Sequence, residues 1–134
     1  MNTTSTLHSL PNATTPKVTF GWELILDLYD CDPEAISSEQ SIQGFARELC
    51  RLIDMKPYGE PLTPYFGLEQ PHTKGYSLLQ FIETSSITGH FSEYTGAVYL
   101  NIFSCKQYDA EAAKEFTARW FGAKRTVARF LVRE

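Results

Sequence analysis

Apolar positions along this chain follow two periods, one of strands and one of helices. From Val18 to Tyr29 (VTFGWELILDLY) leucine, β-branched and aromatic residues run almost unbroken, which predicts a buried strand. Asp32-Pro33 offers a turn or helix start, and Ser37-Ser-Glu-Gln40 has the form of a capping box. Behind it Ile42, Phe45, Ala46, Leu49 and Ile53 recur at helical spacing, so roughly 38–54 is predicted as an amphipathic helix. Tyr76 to Ile82 and Ala97 to Ser104 predict two further strands. In the second, Val98, Leu100 and Ile102 lie on one face and Tyr99, Asn101 and Phe103 on the other. Asp109 is a good N-cap for a helix ending at Phe121, with Ala112, Ala113, Phe116 and Trp120 inward and Gly122 as its stop. Thr126 to Val132 closes the pattern with a strand.

The stretch from Lys56 to Gly75 carries Pro57, Pro61, Pro64 and Pro71 with three glycines. It predicts a long loop with a short strand around Tyr65-Phe66. The order β-α-(β)-β-β-α-β gives an α+β class: a two-layer α/β sandwich, a mostly antiparallel sheet with helices on one face. Residues 1–17, polar and broken by Pro11 and Pro16, read as a disordered tail, and 18–134 as a single domain.

Composition narrows the function classes. With 134 residues, 43% hydrophobic and 21% charged, the chain is neither disordered nor of membrane type. No apolar run reaches the roughly 20 residues that span a bilayer. A net charge of −4 and a pI near 5.4 argue against nucleic acid as a partner. Three cysteines far apart in sequence and no secretory leader point to the cytoplasm. On the same ground Asn2-Thr-Thr and Asn12-Ala-Thr are chance matches to a glycosylation pattern. With three histidines and no CxxC or HxxxH, no metal is expected.

The chemistry concentrates between Gly75 and Cys105. Ser85-Ser86 follows an apolar run, His90 comes five residues after Ser85, and Cys105 ends the next apolar run. A serine, a base and a proton donor at the ends of neighbouring strands are the parts of a covalent acid/base site. Taken singly, each has an ordinary reading: Ser85 and Ser86 as turn residues, His90 as a loop histidine, Cys105 as a small buried hydrophobe.

Taken together, they resemble the short prokaryotic S-adenosylmethionine decarboxylases, which make a pyruvoyl cofactor from an internal serine. The resemblance runs from about Gly21 to the C-terminus. It rests on Gly21-Trp-Glu-Leu-Ile-Leu-Asp-Leu-Tyr-Asp-Cys-Asp32, the ungapped stretch Gly75 to Cys105, Asn101-Ile-Phe-Ser-Cys105, and Phe121-Gly-Ala-Lys-Arg125. It implies self-cleavage between Thr84 and Ser85, with Ser85 attacking the Thr84 carbonyl, His90 as processing base and Ser77 steadying the oxyanion. The pyruvoyl group left from Ser85 would form a Schiff base with an amino-acid-like small-molecule substrate and act as electron sink, without pyridoxal phosphate. Cys105 matches the family's proton donor, and a homodimer with sites near the subunit interface is implied.

The sequence also departs from the family. Thr84 and Ser86 stand where glutamate and histidine usually flank the cleaved serine. Pro71, beside His72, replaces an adenine-stacking aromatic, while Ser92 and Tyr94 replace an aromatic and a ribose-binding acid, with Glu93 displaced by one. Glu93, Tyr94, Phe66 and Asp27 are the candidate substrate contacts. Three functions stay open here: S-adenosylmethionine decarboxylation in polyamine synthesis, decarboxylation of ornithine or arginine by a relative of the same ancestry, or an unprocessed regulatory paralogue.

Overall fold

The computed structural model describes residues 18–67 and 69–134; the expectations for the N-terminal tail lie outside them. The first strand, β1 (Gly21–Tyr29), leads into two helices, α1 (Pro33–Ile36) and α2 (Glu39–Leu52). Strands β2 (Pro57–Leu62) and β3 (Tyr65–Phe66) and a 3-10 turn at Pro71–Thr73 precede β4 (Gly75–Ile82). Then come β5 (Ser85–Ser92), β6 (Ala97–Ser104), α3 (Ala110–Phe121) and β7 (Arg125–Arg133). All strand pairs are antiparallel, in the order β2-β4-β5-β6-β1-β7, with β3 beside β4. The α+β expectation of a sheet with helices on one face holds.

The sheet is one-sided because its strands alternate. Leu24, Leu26 and Leu28 of β1 are buried, as are Leu78, Ile82, Ile87, Phe91, Val98, Leu100 and Ile102 on the same face. They pack against Ile42, Phe45, Ala46 and Leu49 of α2 and Ala113 and Phe121 of α3. Phe45 meets Phe121 at 4.8 Å between ring centroids, and the Trp120 indole N–H donates to the Ser41 carbonyl at 3.1 Å, locking α2 to α3. The first strand is therefore not buried on both sides as its long apolar run suggested. Glu23, Ile25 and Asp27 turn to the uncovered face.

Both major helices stop and start on local chemistry. Ser38 caps α2, its hydroxyl accepting from the Ser41 N–H at 3.1 Å, so the cap lies one residue beyond the expected box. Asp109 caps α3 and Gly122 ends it at φ 64°, as predicted.

Two strands were not expected. β2 forms despite Pro57, Gly59 and Pro61 because it is an edge strand, where missing N–H donors face away from the ladder. β5 forms where a turn and loop were predicted, and it carries Ser85 and His90 at its two ends.

On the uncovered face the register lays side chains in rows across the sheet. One row runs Ser77, His90, Tyr99, Asp27; the next Leu79, Thr88, Asn101, Ile25; the third Phe81, Ser86, Phe103, Glu23. Phe81, Tyr99 and Leu131 are exposed large apolar residues on this face.

The buried thiols supply a test of the core. Burial, helped by the Asp30 charge, pushes Cys31 from 9.0 up to about 11, and burial alone does the same for Cys50. The folded state thus keeps two protons that the unfolded chain gives up from about pH 8.5. Their contribution is complete below that pH and is lost as pH rises toward 11. Urea midpoints should fall across pH 9–11, and the double variant Cys31→Ala/Cys50→Ala should show a shallower fall; parallel slopes would contradict this.

Candidate active site

A tight hairpin joins β4 to β5, with only Glu83 and Thr84 between the paired Ile82 and Ser85. Two-residue hairpin loops favour turns with positive φ at their central residues, usually Gly, Asn or Asp. Neither Glu83 nor Thr84 has a positive φ; it falls on Ser85, at 155°. That region suits glycine, and a side chain held there stores about 1–3 kcal/mol of strain. The Thr84 carbonyl, the acyl side of the Thr84–Ser85 peptide bond, accepts a hydrogen bond from the Cys105 N–H at 2.8 Å. The Ser85 hydroxyl has no hydrogen-bond partner among the described residues. A strained peptide with a polarised carbonyl and a free adjacent hydroxyl is arranged for internal acyl transfer.

Ser77 and His90 form a second pair, Ser77 Oγ lying 3.0 Å from His90 Nδ1. They face each other across β4 and β5 on the uncovered face, with His90 exposed. Five residues of extended strand separate His90 from Ser85, about 17 Å at a strand's rise. Cys105 is exposed at the bend after β6, beside Thr84. So the four residues do not gather at one place in the protomer, as their sequence proximity suggested. They form two pairs at opposite ends of β5, because residues 85–92 are extended rather than turned.

A cavity of about 540 Å³ opens beside Ser77 and His90. Phe66, Tyr76, Phe91 and Tyr99 supply aromatic walls, with His72, Thr73, Gly75 and Ser92 completing it. Gly75 is required there: a Cβ would come within 1.8 Å of the Phe91 carbonyl oxygen. Ser92 donates to the His72 carbonyl at 2.6 Å and so holds the loop that forms one wall. No aspartate or glutamate is among the lining residues. A second cavity, about 620 Å³, lies at the other end against Met55, Lys56, Glu83, Thr84 and Lys106.

The remaining candidates are dispersed. Phe66 is on the first cavity's wall. Glu93 accepts from the Tyr65 hydroxyl at 3.1 Å; desolvation, then this bond and the Glu93 charge, hold the Tyr65 phenol above its ordinary range. Tyr94 is 76% exposed and outside the lining. Asp27 pairs with Arg129 at 3.3 Å, and Glu23 with Asn101 at 2.7 Å and Arg133 at 3.3 Å. Tyr76 and Tyr99 went unnoticed as cavity residues. For Tyr99 the signal was present, since strand alternation put it on the face opposite Val98 and Leu100. Among the described residues, no His, Cys, Asp and Glu side chains group to hold a metal, and no helix is long and apolar enough to cross a membrane.

Comparison with known proteins gives a family and a fold. Residues 22–134 match the family described as S-adenosylmethionine decarboxylase. The fold is similar to the crystal structure of the adenosylmethionine decarboxylase from Aquifex aeolicus, with a TM-score of 0.70 and 17% sequence identity. The similarity covers 86% of this chain and 91% of that one. No protein of curated function matches the chain in sequence.

The strain at Ser85 can be weighed directly. Glycine accepts φ 155° freely whereas alanine does not, so Ser85→Gly should be more stable than Ser85→Ala by about 1 kcal/mol. Both lack the hydroxyl, so chemical denaturation compares intact chains. Equal stabilities, or a more stable alanine variant, would show that the backbone there is relaxed.

Proposed function

The chain belongs to the S-adenosylmethionine decarboxylase family, and on that footing we propose that it cuts itself between Thr84 and Ser85 and decarboxylates S-adenosylmethionine. The observation that carries this is the Thr84–Ser85 peptide itself, with φ 155° at Ser85 and the Cys105 N–H on the Thr84 carbonyl. Those residues fit formation of a pyruvoyl group, which when present supplies the electron sink for loss of CO₂.

In self-cleavage, Ser85 Oγ attacks the Thr84 carbonyl carbon while the Cys105 N–H carries the growing charge on oxygen. The main-chain donor survives substitution of Cys105 by any residue but proline, so the amide serves cleavage and the thiol serves protonation of product. Cys105→Ala should therefore still split but lose most turnover. His90, with Nδ1 against Ser77 and Nε2 free to work, is the base for the Ser85 α-proton.

Base and α-proton stand about 17 Å apart in one protomer, so the site is composite. Two copies stack their uncovered sheet faces about a two-fold axis running across the strands. This sets Ser77 and His90 of one copy over the Ser85–Cys105 end of the other, and buries Phe81, Tyr99 and Leu131.

The aromatic cavity supports S-adenosylmethionine over the smaller amino acids. Rings of Phe66, Tyr76 and Tyr99 suit an adenine face and a sulfonium cation. The distal ammonium of ornithine or guanidinium of arginine would meet no carboxylate among its lining residues.

Intact mass spectrometry should give chains 1–84 and 85–134, and Ser85→Ala should remain whole. His90→Ala should remain whole alone but split when co-expressed with Ser85→Ala, whose His90 reaches the partner's Ser85. If co-expression leaves the His90→Ala chain whole, the site is not shared. CO₂ release from S-adenosylmethionine should exceed that from ornithine and arginine by at least ~100-fold; the reverse order would reassign the substrate.

A further inference from the structure

Behind the hairpin, on the helix-covered side of the sheet, four polar groups form a directed chain that ends on a sulfur. The Lys106 N–H donates to Ser104 Oγ at 2.9 Å, Ser104 Oγ to Thr84 Oγ1 at 2.8 Å, and Thr84 Oγ1 to Met55 Sδ at 3.2 Å. Ser104 is fully buried and Met55 nearly so. Thr84 Oγ1 accepts one bond and gives one, while Ser104 Oγ, bonded to Thr84 at 2.8 Å, also lies 3.6 Å from Met55 Sδ, so both hydroxyls converge on the sulfur. The next bond along the backbone is the Cys105 N–H to the Thr84 carbonyl. Ser104 and Cys105 thus grip Thr84 by side chain and main chain together, with the Lys106 N–H holding Ser104. Glu83 is fixed as well, its N–H donating to the Lys56 carbonyl at 2.9 Å. The positive φ of the turn, 155°, falls on the residue after Thr84, Ser85.

We propose that Ser104 is the positioning residue of self-cleavage, acting through the Thr84 hydroxyl to aim the Thr84 carbonyl at the Cys105 N–H. The proposal rests on the self-cleavage reading above and adds a residue to it that never touches the reacting atoms. In the step concerned, the Ser85 Oγ–C bond forms and the C–N bond of the Thr84–Ser85 peptide breaks. The hydroxyl proton ends on the departing Ser85 nitrogen, giving an ester and an amine with no other reactant. Nothing in that step needs the Ser104 hydroxyl as acid or base. It needs the carbonyl oxygen to stay in line with its donor as the carbon becomes tetrahedral. A misplacement of about 1 Å at such a centre costs on the order of 100-fold in rate.

The role is specific to this pairing of residues. A threonine before the cleaved bond supplies the hydroxyl that a buried serine can hold, and the serine sits opposite Ser85 in the β5–β6 register. The chain therefore fastens the turn from the buried side of the sheet.

The test follows self-cleavage of the full chain made in a cell-free system, quenched at intervals in denaturant and read by mass spectrometry. Parallel samples quenched with hydroxylamine trap the ester as residues 1–84 carrying a hydroxamate. Ser104→Ala should split about 10- to 100-fold more slowly than wild type, with less ester trapped at each time. Ser104→Thr, which keeps the hydroxyl, should recover a rate within about threefold of wild type. Thr84→Val should slow cleavage to a similar degree, and the double variant Ser104→Ala/Thr84→Val no further, as the two hydroxyls act as one unit. Ser104→Ala cleaving at the wild-type rate overturns the positioning role while self-cleavage stands. So does a double variant whose losses multiply. A wild-type chain that stays whole and traps no ester overturns the proposal and the self-cleavage reading together.

Discussion

The register between β4 and β5 is the constraint from which the rest follows. Setting Ile82 opposite Ser85 leaves two residues for the turn, and neither takes the backbone conformation such turns ordinarily use. The conformational cost is passed on to the next residue, which has a hydroxyl free to attack the preceding carbonyl. The same register puts Ser77 opposite His90 at the far end of the hairpin. A slip of β5 by one residue would turn His90 into the core and Phe91 out of it. Hydrophobic burial under α2 and α3 therefore holds the chemistry in register, although no buried leucine or phenylalanine takes part in it.

One-sided burial has a further effect. With helices on one face only, the other face carries rows of polar and aromatic groups that no element among the described residues covers. Arg129 and Arg133 of the edge strand reach back over that face to Asp27 and Glu23, neutralising it at one side. The opposite side keeps Leu79 and Phe81. An apolar side and an ion-paired side on one surface give it an orientation as well as an affinity.

Much of this was legible in the residues. Periodicity located both long helices and the strands at Tyr76–Ile82 and Ala97–Ser104, since each has an unbroken apolar stripe. It missed β5 because the middle of that stripe is Gly89, where a Cβ would stand 2.9 Å from Leu100. It missed β2 because proline and glycine normally signal a loop and only the sheet order reveals an edge. Taken singly, Ser85, His90 and Cys105 had ordinary readings, and the family resemblance is what singled them out together with Ser77. What the sequence concealed was their distance, because five residues span a turn or about 17 Å depending on whether the chain is bent or extended. The Ser104–Thr84–Met55 contact was equally hidden, since it joins residues up to 49 apart in the chain.

The strand order gives the proposed cleavage between Thr84 and Ser85 a consequence. A piece ending at Thr84 would hold β1, β2, β3 and β4, and a piece beginning at residue 85 would hold β5, β6 and β7. In the sheet, β1 of the first piece is clasped between β6 and β7 of the second. The fragments are therefore interleaved rather than stacked, and three separate seams must open before either can leave. Covalent continuity becomes dispensable once folding is complete, but it cannot be recovered afterwards. Unfolding of a cleaved protein would release two molecules in place of one, so it would resist heat better the more concentrated it is. Its lifetime would be set by how slowly those seams part, and once apart it would have no hairpin left to guide it back.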